Sequence, residues 1–223
     1  MEALLAEVRA CRACAVHLPL GPRPVVQASA SARLLIVGQA PSLTVHQTGV
    51  PWNDRSGDQL RRWLGIEREV FYDAARVAIV PMGYCYSGRG KSGDLPPRRE
   101  CAELWHEKLF AQMKQVELTL LIGQYAQRHF LGRKAHAGVT ETVQAFAERH
   151  AIPVVETVFV EPGDAAPRLV GDVIVKPTVS AGAKDTGRFS PRTHDQAFAL
   201  VERIRASGRA AMVQPYQGSV DQV

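Results

Sequence analysis

Arg33-Leu34-Leu35-Ile36-Val37-Gly38-Gln39-Ala40-Pro41 is an aliphatic run that stops at a glycine and passes into small, polar and turn-forming residues. Apolar residues without polar alternation mark a strand buried on both faces, the usual state in a parallel sheet covered by helices. Val77-Ala78-Ile79-Val80 and Leu118-Thr119-Leu120-Leu121-Ile122-Gly123 have the same character. Helical signals lie around them: residues 56–64 begin with a cap residue, 101–114 read as a helix, and 125–131 open another. Strand, helix, strand, helix, strand is an α/β plan with a mainly parallel central sheet. Ligands of such sheets bind beyond the C-terminal ends of the strands, so residues 38–54, 81–97 and 123–127 are the expected functional loops.

Outward from this core, residues 1–12 read as a short helix with Leu4, Leu5 and Val8 on one face, followed by a connector holding Pro19, Gly21, Pro22 and Pro24. The pattern changes after Phe146: residues 152–160 and 173–176 are β-like, 196–206 form an amphipathic helix, and 210–214 a last strand. A domain over residues 1–146 and a smaller α/β segment over 147–223 are therefore expected. The 223 residues suffice for both.

The chain has four cysteines, Cys11-x2-Cys14 and Cys85-x15-Cys101. Two pairs with no thiol left over read as one four-thiolate site. An iron–sulfur cluster, a zinc ion, two disulfides and four unrelated buried cysteines all remain open on spacing alone. The N-terminus lacks a charged-then-apolar signal peptide, and no apolar run is long enough to span a bilayer. The expectation is a cytoplasmic, non-membrane protein, a monomer, in a compartment where disulfides are disfavoured.

Charge is unevenly spread. Residues 1–146 carry 18 Lys and Arg against 13 Asp and Glu, an excess of 5, and residues 147–223 carry 9 against 9. A basic surface on the first part favours a polyanion such as nucleic acid. Arg89, Lys91, Arg98 and Arg99 between the cysteine pairs, with Arg55, Arg61 and Arg62, are the candidate phosphate contacts.

The loop after the first strand is the densest cluster of candidate binding residues. Gly38-Gln39-Ala40-Pro41 leads to His46-Gln47-Thr48-Gly49-Val50-Pro51-Trp52, then Asp54 and Ser56-Gly57. Small residues admit a ligand to the backbone, Gln39 offers a planar amide, and Trp52 a flat face for a base.

These features together resemble the iron–sulfur, family-4-type branch of the uracil-DNA glycosylase superfamily, over residues 1–146. The carriers are the Cys-x2-Cys start, Gly38-Gln-Ala-Pro41, Thr48-Gly-Val-Pro-Trp52, the Cys-x15-Cys loop, Leu120-Leu-Ile-Gly-Gln-Tyr-Ala126 and Thr140-Glu-Thr-Val143. The resemblance implies a three-layer α/β sandwich and a structural [4Fe-4S] cluster on Cys11, Cys14, Cys85 and Cys101. It implies uracil-containing DNA as partner, with the base bound by Gly38, Ala40 and Pro41 and stacked on Trp52. Gln39, where that family commonly carries an acid, would help place the attacking water. The implied reaction is hydrolysis of the N-glycosidic bond in base excision repair. Val80-Pro81-Met82 stands where an Asn is usual. The family's late His-Pro-Ser-type loop has no counterpart, since His150 precedes Ala-Ile-Pro and His194 precedes Asp-Gln. Impaired catalysis is expected, and a non-catalytic DNA-binding protein is one alternative.

Residues 147–223 are similar to a central piece of the ATP-grasp fold. The carriers are Ile152-Pro-Val-Val-Glu-Thr-Val-Phe-Val160, Asp172-Val-Ile-Val-Lys-Pro-Thr-Val-Ser-Ala-Gly-Ala183 and Met212-Val-Gln-Pro-Tyr216. That likeness implies that Lys176 and the small loop from Ser180 contact ATP phosphates, and that Gln214-Pro-Tyr lies near the adenine. The family's later acidic magnesium ligands are absent. An ATP-binding ligase fragment is the other alternative function.

Overall fold

The computed structural model of the protein describes residues 1–91, 93–136, 138–152, 157–177 and 185–216. They form two compact units, Met1–Ala135 and His136–Val223. That division precedes the 146/147 boundary read from the sequence, so the helix over 139–149 belongs to the second unit.

In the first unit, β1 (Leu34–Val37) is the middle strand of a three-stranded parallel sheet ordered β2 (Val77–Ile79), β1, β5 (Leu118–Leu121). Leu34 pairs with both Val77 and Leu118. For β1 and β2 the lack of alternation in sequence has its cause here, because both their faces are covered, whereas the edge strand β5 is exposed at Leu118 and Thr119. Leu35, Val37, Ala78 and Val80 pack with Leu4, Leu5 and Val8 of α1 (Glu2–Ala10), Leu109 of α5 (Glu107–Gln112) and Ala126 of α6 (Gln124–Leu131). Ile36, Val77 and Ile79 face the other way. They meet Leu60 of α3 (Arg55–Leu64) and Phe71 of α4 (Arg68–Phe71), with Trp52 and Leu64 at the margin. Helices, sheet, helices make three layers within this unit. The connector covers the β2 edge: Gln27 exchanges backbone hydrogen bonds with Ile79 (3.0 and 2.7 Å). Its side-chain amide donates to the carbonyls of Phe71 and Val77.

A short helix α2 (Leu43–Thr48) follows β1, and the segment between the cysteine pairs forms a two-stranded hairpin, β3 (Arg89–Gly90) with β4 (Gly93–Asp94). The expected helix over 101–114 begins as a wide π-type turn, Ala102–His106, before α5. That turn seats His106 in an aromatic nest. His106 is 3 % exposed, its ring lies 4.9 Å from Phe110, 5.6 Å from His129 and 6.0 Å from Tyr84, and its Nε2 is 3.1 Å from the Pro81 carbonyl. A carbonyl only accepts, so Nε2 carries the proton and Nδ1 is bare.

The second unit holds α7 (Val139–Arg149) and an antiparallel sheet ordered β6 (Val158–Val160), β9 (Ala211–Pro215), β7 (Val173–Pro177), β8 (Gly187–Phe189). Ala197, Leu200, Val201 and Ile204 of α8 (His194–Ala206) pack on Val160, Val173, Val175, Ala211 and Val213. The β-like reading of 152–160 is observed as a strand at its end, and residues 153–156 lie outside the described set. β8 was not expected; three residues containing a glycine carry too little pattern to be seen. No helix among the described residues is long and apolar enough to cross a membrane.

Burial first, and then the nearby His129, push the His106 pKa down to about 4 against the opposing pull of the Pro81 carbonyl. The folded chain thus keeps His106 neutral where the unfolded chain protonates it. Its contribution to stability is complete above about pH 6.5 and is lost as pH falls toward about 4, a change of about 3 kcal/mol. Urea unfolding between these pH values should show a slope that His106→Gln reduces; an unchanged slope would refute this assignment.

Candidate functional site

The C-terminal end of β1 is held to the loop after β2 by backbone hydrogen bonds. The amides of Met82 and Gly83 donate to the carbonyls of Gly38 and Gln39, both at 2.9 Å, and Ile122 N donates to Val37 O at 2.9 Å. All three loops expected to be functional therefore begin at one edge of the sheet. Gly38 and Pro41 are buried, while Gln39 and Ala40 are half-buried. The Gln39 amide nitrogen donates to the Leu95 carbonyl at 3.4 Å, linking the first loop to the segment between the cysteine pairs.

Trp52 is fixed from several sides. Its φ of 54° lies in the left-handed region, unfavourable for a residue with a Cβ. Its carbonyl accepts from Arg61 Nη1 and Tyr72 Oη, each at 3.3 Å. That oxygen lies where a side chain on Gly57 would begin: a Cβ there would be 1.7 Å from it. The indole rests on Gly38, where a Cβ would come within 2.9 Å of Cζ2. Both glycines are thus required by close approach, and Trp52 stays half-buried at the mouth of the central strand.

Asp54 locks the same turn. Its carboxylate caps α3 by accepting from the Ser56 and Gly57 amides (3.1 Å each), and it accepts from Ser42 Oγ at 2.6 Å and Ser56 Oγ at 2.5 Å. Burial pulls its pKa up, but these hydrogen bonds outweigh burial and hold the carboxyl below its ordinary range. The helix starts at Arg55 with Asp54 as cap, rather than at Ser56. Asp54 is therefore occupied by structure.

Arg61 also has a structural place. It is 8 % exposed, packs its guanidinium 5.3 Å and 5.5 Å from the Phe71 and Tyr72 ring centroids, pairs with Asp58 and supports the Trp52 carbonyl. Its listing among phosphate contacts is corrected by that burial. Arg55, Arg62, Arg89, Lys91 and Arg99 are exposed, and Arg98 is paired with Glu100. Sequence reading passed over Tyr72, which lies on no motif. It also gave no role to His46, whose buried ring stands 6.2 Å from Tyr86. Burial, then the charge of Arg23, lower the His46 pKa, and its Nδ1 has no partner among the described residues.

The four cysteines are free thiols. Cys11 ends α1, Cys14 opens a single tight turn, Ala15–His17, Cys85 follows β2 and Cys101 opens the π-type turn. Cys14, Cys85 and Cys101 are buried, and Cys14 and Cys85 share a small apolar cluster with Leu18. The Tyr84 amide donates to Cys101 Sγ at 3.3 Å, and the Arg23 amide hydrogen-bonds Cys85. Burial chiefly, with repulsion from the other cysteines, pushes Cys85 to about 11 and Cys101 to about 12. Each of these thiols is close enough to sense Cys11 and Cys14, so the fold brings both pairs together. Among the described residues, no three His, Cys, Asp or Glu side chains are gathered as around a single metal ion.

In the second unit, Lys176 lies half-buried on β7, opposite Met212 of β9, and alternates with the core residues Val173 and Val175. The loop from Ser180 to Ala183 lies outside the described residues. Tyr216 stacks under Arg188, 3.5 Å from guanidinium to ring centroid. His150 stacks on Phe146 at 4.4 Å, and His194 Nε2 bonds the Gly171 carbonyl at 2.8 Å, so both histidines serve local structure.

The first unit is a parallel α/β unit whose loops converge at the C-terminal end of its central strand, the edge at which ligands of such sheets bind. The model of the Uracil DNA glycosylase superfamily matches residues 25–180, and the chain belongs to that superfamily. The match takes in the whole parallel sheet and continues into the region read as ATP-grasp-like. Among solved structures, the crystal structure of D-cycloserine synthetase DcsG is similar at 22% identity, with a TM-score of 0.36, covering 85% of this chain. The chain covers 61% of that structure's length.

Proposed function

We propose that this protein is a uracil-DNA glycosylase of the iron–sulfur type, working in base excision repair with its catalytic set reduced by one donor. The observation that carries the reading is Trp52, held in a left-handed conformation against Gly38 at the end of β1. Strain of this kind persists where the surroundings enforce it, and it clusters at ligand clamps. A uracil leaving the DNA stack at a cost of a few kcal/mol would regain part of it by stacking on the indole.

Hydrolysis needs a water oxygen to bond to the sugar C1′ as the bond to uracil breaks, the electron pair leaving with the base and the water's spare proton passing through solvent to the departing base. Gln39 has its amide nitrogen on the Leu95 carbonyl, and its amide oxygen would be left to accept a hydrogen from that water or from a base N–H. It is neutral and orients rather than deprotonates. Without the late histidine, the departing base lacks a donor of the sort worth about 10²–10³ in rate. The expected signature is slow release with retained binding. An oligonucleotide containing one uracil should give alkali-labile abasic sites at near-stoichiometric enzyme. Trp52→Ala should cost about tenfold in binding the uracil strand, about the loss of one stack. No abasic sites, together with equal affinity for uracil and thymine strands, would remove this reading.

The four cysteines would hold a [4Fe-4S] cluster, which would tie α1 and the segment between the cysteine pairs to the sheet. The residues fit such a group: four free thiols in mutual range, a largely apolar surround, and two backbone amides donating to sulfur. Zinc, with Zn–S near 2.3 Å, would bring its sulfurs to about 3.8 Å from one another. Protein purified without oxygen should be brown, and Cys101→Ala should lose both colour and thermal stability. A colourless preparation with one zinc per chain would overturn the assignment.

A second reading concerns the second unit alone. Lys176 alternates with core residues and so leaves the face packed on α8. That is where a strand lysine of an ATP-grasp-like site would meet phosphates. ATP should then raise the melting temperature of the protein, and Lys176→Ala should abolish the rise; no rise in either protein would dismiss it.

A further inference from the structure

The segment between Cys85 and Cys101 borders a cavity of about 570 Å³ whose lining includes two of the candidate phosphate contacts, Arg98 and Arg99, but neither the cysteines nor the residues of the loop after β1. One wall is apolar, made by Leu95, Pro96 and Pro97. His17, Ser87 and Arg99 also line the cavity. Ser87 is 6 % exposed, and its hydroxyl has no hydrogen-bond partner among the described residues. A buried hydroxyl left in this state calls for a ligand or a water. Of the two arginines at the rim, Arg98 is committed to Glu100, whereas Arg99 is exposed with no ion pair among the described residues. Glu103 leaves the rim mixed in charge, so it is no general basic surface.

Placement adds to this. Leu95 belongs to the cavity wall, its amide donates to the Gly88 carbonyl at 2.8 Å, and its carbonyl accepts from Gln39. The cavity therefore adjoins the loop that would receive the base, separated by one hydrogen-bonded residue. The volume is that of a nucleotide rather than a lone anion.

We propose that this cavity is a second nucleotide subsite, in which Arg99 holds a phosphate, Ser87 donates to the same group or its sugar, and the proline wall packs against the base or sugar. Its ligand class is a phosphorylated deoxynucleoside, as a unit of the strand next to the target or as free nucleotide. The inference rests on the DNA-binding part of the function proposed above.

The test is fluorescence anisotropy with two labelled single strands, one carrying uracil and one thymine at the same position, across a salt series. Arg99→Glu should weaken both by about tenfold and lower the salt slope by about one. Ser87→Ala changes no charge, so general electrostatics cannot account for its effect. It should weaken strand binding several-fold while leaving the melting temperature unchanged or raised, since it deletes an unsatisfied hydroxyl. Unchanged affinity in Ser87→Ala, whatever Arg99→Glu does, overturns the proposal. Deoxythymidine monophosphate added as competitor separates the two sources. Displacement of the strand from wild type but not from Arg99→Glu assigns free nucleotide to the cavity, and no displacement assigns the strand alone. Uracil release from the same samples reports on the glycosylase reading by itself. Ser87-dependent binding without release keeps the subsite and removes the reaction, and release with Ser87-independent binding does the reverse.

Discussion

The carbonyl oxygen of Trp52 organises the end of the central strand. It takes the space that a side chain on Gly57 would fill, and two donors nine and twenty residues further along the chain, Arg61 and Tyr72, converge on it. A left-handed tryptophan costs about 1–2 kcal/mol, and two hydrogen bonds, one from a cation, are of the size needed to offset it. Arg61 reaches the carbonyl because α3 starts where Asp54 caps it, and Asp54 is itself tied to Ser42 at the start of α2. Loop, cap, helix and returning arginine close a ring of interactions. The indole that results cannot shift without disturbing α3 and its packing on Ile36 and Ile79.

The sheet could be read from the chain because β1 and β2 are covered on both faces, which writes an unbroken apolar signal into them; β5 carries a similar signal although Leu118 and Thr119 are exposed. The loop after β1 was legible for a related reason: its glycines stand where the Trp52 ring and carbonyl come close to the backbone. Arg61 could not be read. Its role is set by Phe71 and Tyr72, rings on the next helix, and by a carbonyl behind it, none of which local spacing reveals. The π-type turn at Cys101 and the β3–β4 hairpin were likewise hidden, since short elements rich in glycine and charge carry no periodicity. The convergence of the cysteine pairs follows from topology. Cys85 lies just past β2 and Cys101 at the head of the helix packed on the sheet, so the chain from Ser87 to Glu100 is compelled to loop back.

The second unit poses a different problem. Its residues read as a change of pattern at about 146, yet the compact units divide at 135/136 and the superfamily match runs to residue 180. Three boundaries of different kinds need not coincide. Pattern follows which face of each element is buried, compactness follows contact, and family likeness follows ancestry. α7 illustrates the distinction, since it straddles the change in pattern yet lies wholly within the second compact unit.

In the function proposed above, the lack of one donor would not dismantle the site, because binding and bond cleavage draw on different groups. Stacking on Trp52 and phosphate contacts would act on the extruded nucleotide before any bond stretches, and so would stabilise ground state and transition state alike. The donor to the departing base acts only as charge develops on it. Under the proposed function, lacking it would lower turnover while leaving affinity, and the bound state would then last longer than the chemistry requires. The rigid aromatic and the two glycines that admit it would serve the holding step. On that proposal recognition of uracil would persist whether cleavage follows quickly or slowly.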